Sequence, residues 1–283
     1  MPDFGSFRGF GEKLMQGQTP TQLGKIGSES FSFDGLLDAY PNAEAAFSIR
    51  QLRKLYSGNC LKVRRSSDSA EQDIGFTSAG ELDTTALLSF VGSGNGFITT
   101  WYDQSGNANN ATQSTASYQP QIVSSGNIVV QNSKPTLQFA RVNKYLLFSQ
   151  DYTFQSIFSV FKFDSASFTD FNGLIGTNTM EELFGIENTK QFGTNNGVAF
   201  SAYENNNLTT NRTFSSINTQ KLASFIFNSS RLINQTTKYF GAITNPVNRS
   251  WDGNMQEFII YSTNKSTDLS GINTAINTYY AIY

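Results

Sequence analysis

Histidine is absent from this 283-residue chain, and cysteine occurs once, as Cys60. The first absence excludes Ser-His-Asp and Cys-His catalytic centres, His-bound zinc and an imidazole general base. The second excludes an intrachain disulfide, a four-cysteine metal site and an iron–sulfur cluster. Charge is also scarce: 15% of residues are charged, and 20 Lys+Arg against 22 Asp+Glu leave a net −2. That balance gives no global electrostatic reason to bind nucleic acid or an acidic membrane surface. No run of about 18 apolar residues is present, so no membrane span is expected. Any catalysis has to come from carboxylates, Tyr, Lys or hydroxyls, and neither a cofactor nor a metal site is expected.

What the chain has instead is aromatic and hydroxyl-rich. It carries 25 Phe, 12 Tyr and 23 Gly. Its hydrophobic share of 38% is low, but each aromatic ring buries about 150–250 Å², so a substantial core remains possible. Low charge with many Ser, Thr, Asn and Gly predicts a β-rich body with polar turns.

Residues 1–30 differ from the rest: Gly and Phe are interleaved and no period is sustained. They read either as a floppy leader or as an extended arm whose Phe4, Phe7 and Phe10 dock on a neighbouring subunit. The N-terminus lacks the basic and apolar regions of a signal peptide, so the expected site is the cytosol or a route other than ordinary secretion. Residues 41–57 predict a helix. Pro41 suits its first turn, and Ala45, Ile49, Leu52 and Tyr56 fall on one face, with Arg50, Arg53 and Lys54 elsewhere. Lys62, Arg64 and Arg65 follow in a strand. This is the densest positive cluster, read as a solvated face paired with Asp68, Glu71 and Asp73. A second helix is predicted at 83–91, with Asp83 as N-cap and Gly92 past its end.

Phe97–Tyr102 is a strong β run, and from about 120 onward the pattern is strand, turn, strand. Strands are predicted at 120–124, 127–131, 136–140, 153–163, 173–177, 182–187, 190–193, 197–203, 221–227, 230–235, 237–243 and 254–262. The run 154–163 carries apolar residues on both faces, as a central strand does. Leu269–Tyr283 predicts a closing helix. The fold class is all-β: a jelly-roll β-sandwich with a few short helices and an extended N-terminal arm. Residues 1–30 are read as the arm and 31–283 as the sandwich domain.

An ordered set of pieces in residues 46–113 carries a family resemblance. They are Ala46–Leu52, Tyr56-Ser57-Gly58, Val63–Asp68, Gln72–Phe76, Leu82-Asp83-Thr84, Thr99–Asn107 and Ala111-Thr112-Gln113. Together they resemble the opening of the catalytic domain of α-L-arabinofuranosidase B and of its phage and bacterial relatives. Trp251–Tyr261 and Ile276–Ile282 are similar to the last strand and terminal helix of concanavalin A-like or laminin-G-like sandwiches. The two resemblances describe one domain over roughly residues 36–283.

The resemblance implies a glycosidase with two carboxyl groups about 5–5.5 Å apart. In that family the nucleophile lies in a Cys-rich Asp-Tyr-Gly-Asn-Ala-Glu-like stretch, and no match to it is found here. Glu181, Glu182 and Glu187 fall in the corresponding region without a motif that assigns them a role. Asp103 reads either as a sugar or calcium ligand beside Asn107, or as a carboxylate capping the turn after it. Trp101 and Trp251 could stack on a sugar, though both sit in strand contexts that suit core packing. Asn205-Asn206-Asn207 and Thr209-Thr210-Asn211 offer uncharged donors and acceptors, which suit glycan contacts and equally suit the loops of any extracellular or virion β-domain.

The resulting expectation is a phage virion structural protein: a head-fibre, decoration or tail-associated subunit without catalysis. It would assemble in the host cytoplasm as a homo-oligomer and join other virion proteins through residues 1–30. Its jelly roll would display a surface for host-surface glycan, with no nucleic acid partner. The alternative is an active glycoside hydrolase of the arabinofuranosidase type using unrecognised carboxylates.

Overall fold

The computed structural model describes residues 35–140, 143–164, 172–179, 184–186, 190–194, 197–243 and 249–283. The run predicted to be central is the strand Tyr152–Phe163, and every residue from Ser156 to Phe161 is buried. A strand buried on both faces needs a partner on each edge and a layer above and below. It pairs antiparallel with Lys221–Ile233 on one edge and with Gly253–Tyr261 on the other. Beyond Lys221–Ile233 lie Phe200–Glu204 and Asn207–Leu208. Beyond Gly253–Tyr261 lie Ala45–Ser48 and Leu137–Phe139, end to end along the same edge. Gly253 is required where it stands. Its φ is +146°, and a Cβ there would lie 2.0 Å from the Lys162 carbonyl oxygen.

A second antiparallel series runs edge to edge. It comprises Glu71–Ile74, Leu61–Arg65, Gly96–Trp101, Ala111–Thr112, Leu146–Phe148, Lys238–Phe240, Asn172–Thr177, Phe184–Ile186 and Phe192–Thr194. Aromatic rings close the space between the two series. Phe258 meets Phe240 at 4.8 Å between centroids, and Phe225 meets Phe184 at 4.8 Å and Phe192 at 4.7 Å. Each such ring contributes roughly 1.5–3 kcal/mol by burial. This is how a chain with few aliphatic residues still builds a core, and the result is a mostly antiparallel, all-β sandwich with few helices.

Two helices form where predicted. Asp83 accepts the Ala86 N–H (2.9 Å) at the start of Thr84–Val91, and Gly92, at φ +67°, donates its N–H to the Leu88 carbonyl (2.9 Å). The closing helix is Leu269–Tyr280, which buries Ile272, Asn273, Ile276 and Tyr280. Among the described residues no helix is long and apolar enough to cross a membrane.

The helix expected over 41–57 is not formed. Asn42 turns the chain at φ +65°, and Ala45–Ser48 then runs as a strand against Glu257–Ile260. The periodicity was real but incomplete: Ala46 and Phe47, off the proposed helical face, are as buried as Ala45 and Ile49. Burial on both sides is what a strand between layers needs, and it outweighs a 3.6-residue pattern. The strands expected separately at 221–227 and 230–235 are one strand, irregular opposite Gln155.

The positive cluster also divides. Arg65 pairs with Asp68 (2.7 Å) and Lys62 with Glu71 (3.8 Å), as expected of a solvated face. Arg50 does the opposite and is buried. Its guanidinium donates to both oxygens of Glu257 at 2.8 and 3.0 Å. The Ser48 and Tyr280 hydroxyls also donate to that carboxylate, at 2.8 and 3.3 Å. The guanidinium lies over the rings of Tyr279 (4.7 Å) and Tyr280 (5.6 Å). Burial disfavours its charge, but the adjacent Glu257 carboxylate more than offsets this and holds its pKa above the ordinary value.

Candidate functional site

The turn after Trp101 is built by a buried carboxylate. Asp103 accepts the N–H groups of Ala46 (2.8 Å), Ser105 (2.8 Å) and Asn109 (3.0 Å), and the Ser105 hydroxyl (2.7 Å). Gln104 beside it donates to the Ser48 and Arg50 carbonyls and accepts the Leu52 N–H (2.8 Å). The Asn107 amide donates to the carbonyls of Ala43 (3.1 Å) and Glu44 (3.0 Å). Four donors from its own chain surround Asp103, and Asn107 faces backbone carbonyls. Together they clamp segment 43–53 onto segment 103–109, which is the turn-capping reading of Asp103. Over the clamp opens a cavity of about 340 Å³, lined by Asn42, Glu44, Arg53, Ser105, Asn107 and Ser262 among others.

The two tryptophans are core residues. Both are fully buried. Trp101 lies 5.7 Å from both Phe47 and Phe240, and Trp251 lies 4.8 Å from Phe161. Their ring N–H groups donate to the Ser48 and Lys162 carbonyls (3.4 and 3.3 Å). A ring enclosed in this way presents no face to a sugar, which corrects the stacking reading and agrees with the core packing that their strand contexts suit.

A second site forms where Phe200–Glu204 turns back into Asn207–Leu208. Asn205 and Asn206 both have positive φ (49° and 67°), the conformation a two-residue hairpin turn demands. The turn is tied down by the Leu222 N–H donating to Asn205 (3.1 Å) and the Asn273 amide donating to Asn206 (3.1 Å). This fixes Glu204 at the mouth of a groove of about 560 Å³, whose walls include Asn207, Thr209, Thr210, Thr213 and Ser215. The Ser215 N–H (2.6 Å) and hydroxyl (2.5 Å) donate to the Glu204 carboxylate, and the Lys221 ammonium is in direct contact with it. Burial pushes the Glu204 carboxyl up. The Lys221 ammonium and the Ser215 donors outweigh burial and hold it below the usual carboxylate range, so it stays ionised. The site therefore combines one fixed anion with several hydroxyl and amide groups, a set suited to the hydroxyls of a neutral sugar.

Glu204 was not among the candidates read from the sequence, although the triple-Asn stretch beside it was. Its partner Lys221 is 17 positions away, and only the pairing of Glu204 with Ala223 brings them together. Glu181, Glu182 and Glu187 lie outside the described residues, as do Phe4, Phe7 and Phe10 of the expected arm. Among the described residues no group of three or more Cys, Asp or Glu is placed to hold a metal ion.

Comparison with known proteins agrees with the framework. Residues 38–149 match the family model for the catalytic domain of α-L-arabinofuranosidase B. No curated protein sequence matches the chain. Similar solved structures include an arabinofuranosidase in complex with arabinofuranosyl-α-1,2-xylobiose, with a TM-score of 0.56 and 17% identity. A GH54 α-L-arabinofuranosidase with a cyclic sulfate inhibitor gives a TM-score of 0.55 at 16% identity. In both cases the match covers 85% of this chain and 64% of the other, and at such identities the likeness is one of fold. These findings overturn the expectation of a phage virion subunit. The family model and the similar structures are those of arabinofuranosidases, and none is a capsid, tail or decoration component.

Proposed function

We propose that this chain is a glycoside hydrolase of the arabinofuranosidase type, carried on a concanavalin A/laminin-G-like jelly roll. The observation that carries the reading is the match of residues 38–149 to the arabinofuranosidase B catalytic model, within a fold shared over 85% of the chain. Retaining hydrolysis needs an ionised carboxylate and a protonated carboxyl group about 5–5.5 Å apart on either side of the scissile bond. Glu204 supplies the ionised group, held so by Lys221 and Ser215 at the edge of the groove. The protonated partner is to be sought by substitution, first at the sequence candidates Glu181, Glu182 and Glu187. The hydroxyls of Thr209, Thr210 and Thr213 and the amide of Asn207 orient the sugar without adding charge.

The test is release of 4-nitrophenol from 4-nitrophenyl α-L-arabinofuranoside by the full chain and by four Glu→Gln variants, at 181, 182, 187 and 204. Glu204→Gln and one of the other three are expected to lower the rate by about 10²–10⁴-fold with the fold retained. Absence of hydrolysis on this substrate and on arabinose-substituted xylo-oligosaccharides would overturn the reading. Full activity in Glu204→Gln would remove Glu204 from it.

A further inference from the structure

Two cations outside the Glu204 groove share one aromatic ring and, among the described residues, no acid. The Arg64 guanidinium lies 5.1 Å from the centroid of Phe97, and the Lys144 ammonium lies 5.5 Å from the same centroid. Neither forms an ion pair among the described residues, whereas the neighbouring Lys62 and Arg65 both do. Their hydrogen bonds go to neutral groups: Arg64 donates to the Gln119 side chain (2.8 Å) and Lys144 to the Ser117 carbonyl (2.9 Å). Burial and the charge of Arg64 both pull the Lys144 pKa down, so the pair is electrostatically unfavourable as it stands. An anion between the two cations would relieve this repulsion.

The same two loops carry a tyrosine platform. Tyr118 follows Ser117 and Tyr145 follows Lys144, and their rings lie 5.3 Å apart. Tyr145 in turn packs edge-on against Tyr239 at 5.3 Å. Tyr145 is buried in the middle, while Tyr118 and Tyr239 are partly exposed. Aromatic faces suit the C–H face of a sugar ring, and tyrosine adds a polar edge. A cation pair beside aromatic faces thus offers both halves of an acidic sugar a partner: its ring on tyrosine and its carboxylate on Arg64 and Lys144.

We propose that Arg64, Lys144 and the Tyr118–Tyr145–Tyr239 platform form a binding site for a uronic acid unit of a polysaccharide. The site lies apart from Glu204 and its occupation does not depend on hydrolysis, so it stands or falls separately from the proposed activity. A carbohydrate is favoured over nucleic acid because only two cations converge and the chain as a whole is slightly acidic.

The experiment is calorimetric titration of the full chain with trigalacturonate and with its methyl ester, at low salt. The free acid is expected to bind, and esterification, which removes the charge and keeps the ring, to weaken binding about tenfold or more. Arg64→Gln and Lys144→Gln should each weaken the free acid about tenfold and leave the ester unchanged. Tyr118→Ala and Tyr239→Ala should weaken both ligands. Several results would overturn the proposal: no binding of trigalacturonate, equal binding of acid and ester, or insensitivity to both cation substitutions. So would inorganic phosphate or an oligothymidylate binding as tightly as trigalacturonate, which would mark a plain anion site or a nucleic-acid site. The acid–ester comparison uses the unaltered chain and decides the matter even if a variant fails to fold.

Discussion

The buried Arg50–Glu257 pair allows a stability prediction with a definite magnitude. The Arg50 side chain is 9% exposed and that of Glu257 is fully buried. Glu257→Gln preserves side-chain volume and an acceptor for the Ser48 and Tyr280 hydroxyls, but leaves a guanidinium sealed among aromatic rings without a counter-charge. Removing one partner of such a pair costs about 3–5 kcal/mol, a large fraction of the roughly 5–15 kcal/mol that holds a domain folded. At about 2–4 °C per kcal/mol for a domain of this size, the melting midpoint should fall by roughly 6–20 °C. The double variant Arg50→Met/Glu257→Gln removes the stranded charge and should be less destabilised than the sum of its singles, by about 0.5–3 kcal/mol. Thermal unfolding of the four proteins measures the midpoint shift, and urea unfolding measures the coupling. A Glu257→Gln variant within about 0.5 kcal/mol of the parent, or strict additivity in the cycle, would refute the reasoning.

Two further outcomes follow from the same electrostatics and burial. The Glu204 carboxyl is held below its ordinary range, so its contribution to stability is complete above the unfolded value of about 4.3 and is lost as pH falls through the lower folded value. Glu204→Gln should therefore shift the urea midpoint at neutral pH and leave it nearly unchanged in strong acid; an equal shift at both would contradict the assignment. Cys60 is fully buried, its thiol donates to the Ser48 carbonyl (3.2 Å), and burial pushes its pKa up. A thiol reagent should leave it untouched in the native protein and modify it fully after unfolding, and rapid native labelling would show the segment to be open.

The legibility of the fold varied with the range of the interaction. Strands with local apolar runs, such as 152–163 and 253–261, could be read directly, and so could the helix with its cap at Asp83 and its stop at Gly92. The segment 41–57 could not. Whether Ala45–Ser48 coils or extends is decided by Glu257–Ile260, more than 200 positions later, and by the Asp103 carboxylate that takes the Ala46 N–H. The same distance hid Glu257 itself. A lone Glu in an apolar strand was the one available signal, and its counter-ion Arg50 had been placed on a solvated face.

The framework and the chemistry of the site were unequally legible, for a physical reason. Among the residues that carry the arabinofuranosidase resemblance, those after Trp101 are held by many hydrogen bonds. Asp103 serves four donors, Gln104 bridges three backbone groups, and Asn107 closes the clamp onto Ala43 and Glu44. Replacing Asp103 or Gln104 strands more than one buried backbone group at once, each at a cost of about 1–3 kcal/mol. A sequence with this fold is therefore tightly restricted at these positions whatever reaction it performs. Glu204 satisfies a weaker requirement, one carboxylate at one groove, which other positions along the same edge could also meet. A resemblance concentrated in clamp residues thus speaks first to the fold. The chemistry has to be found where carboxylates meet open grooves, and there the spacing of residues along the chain gives no guidance.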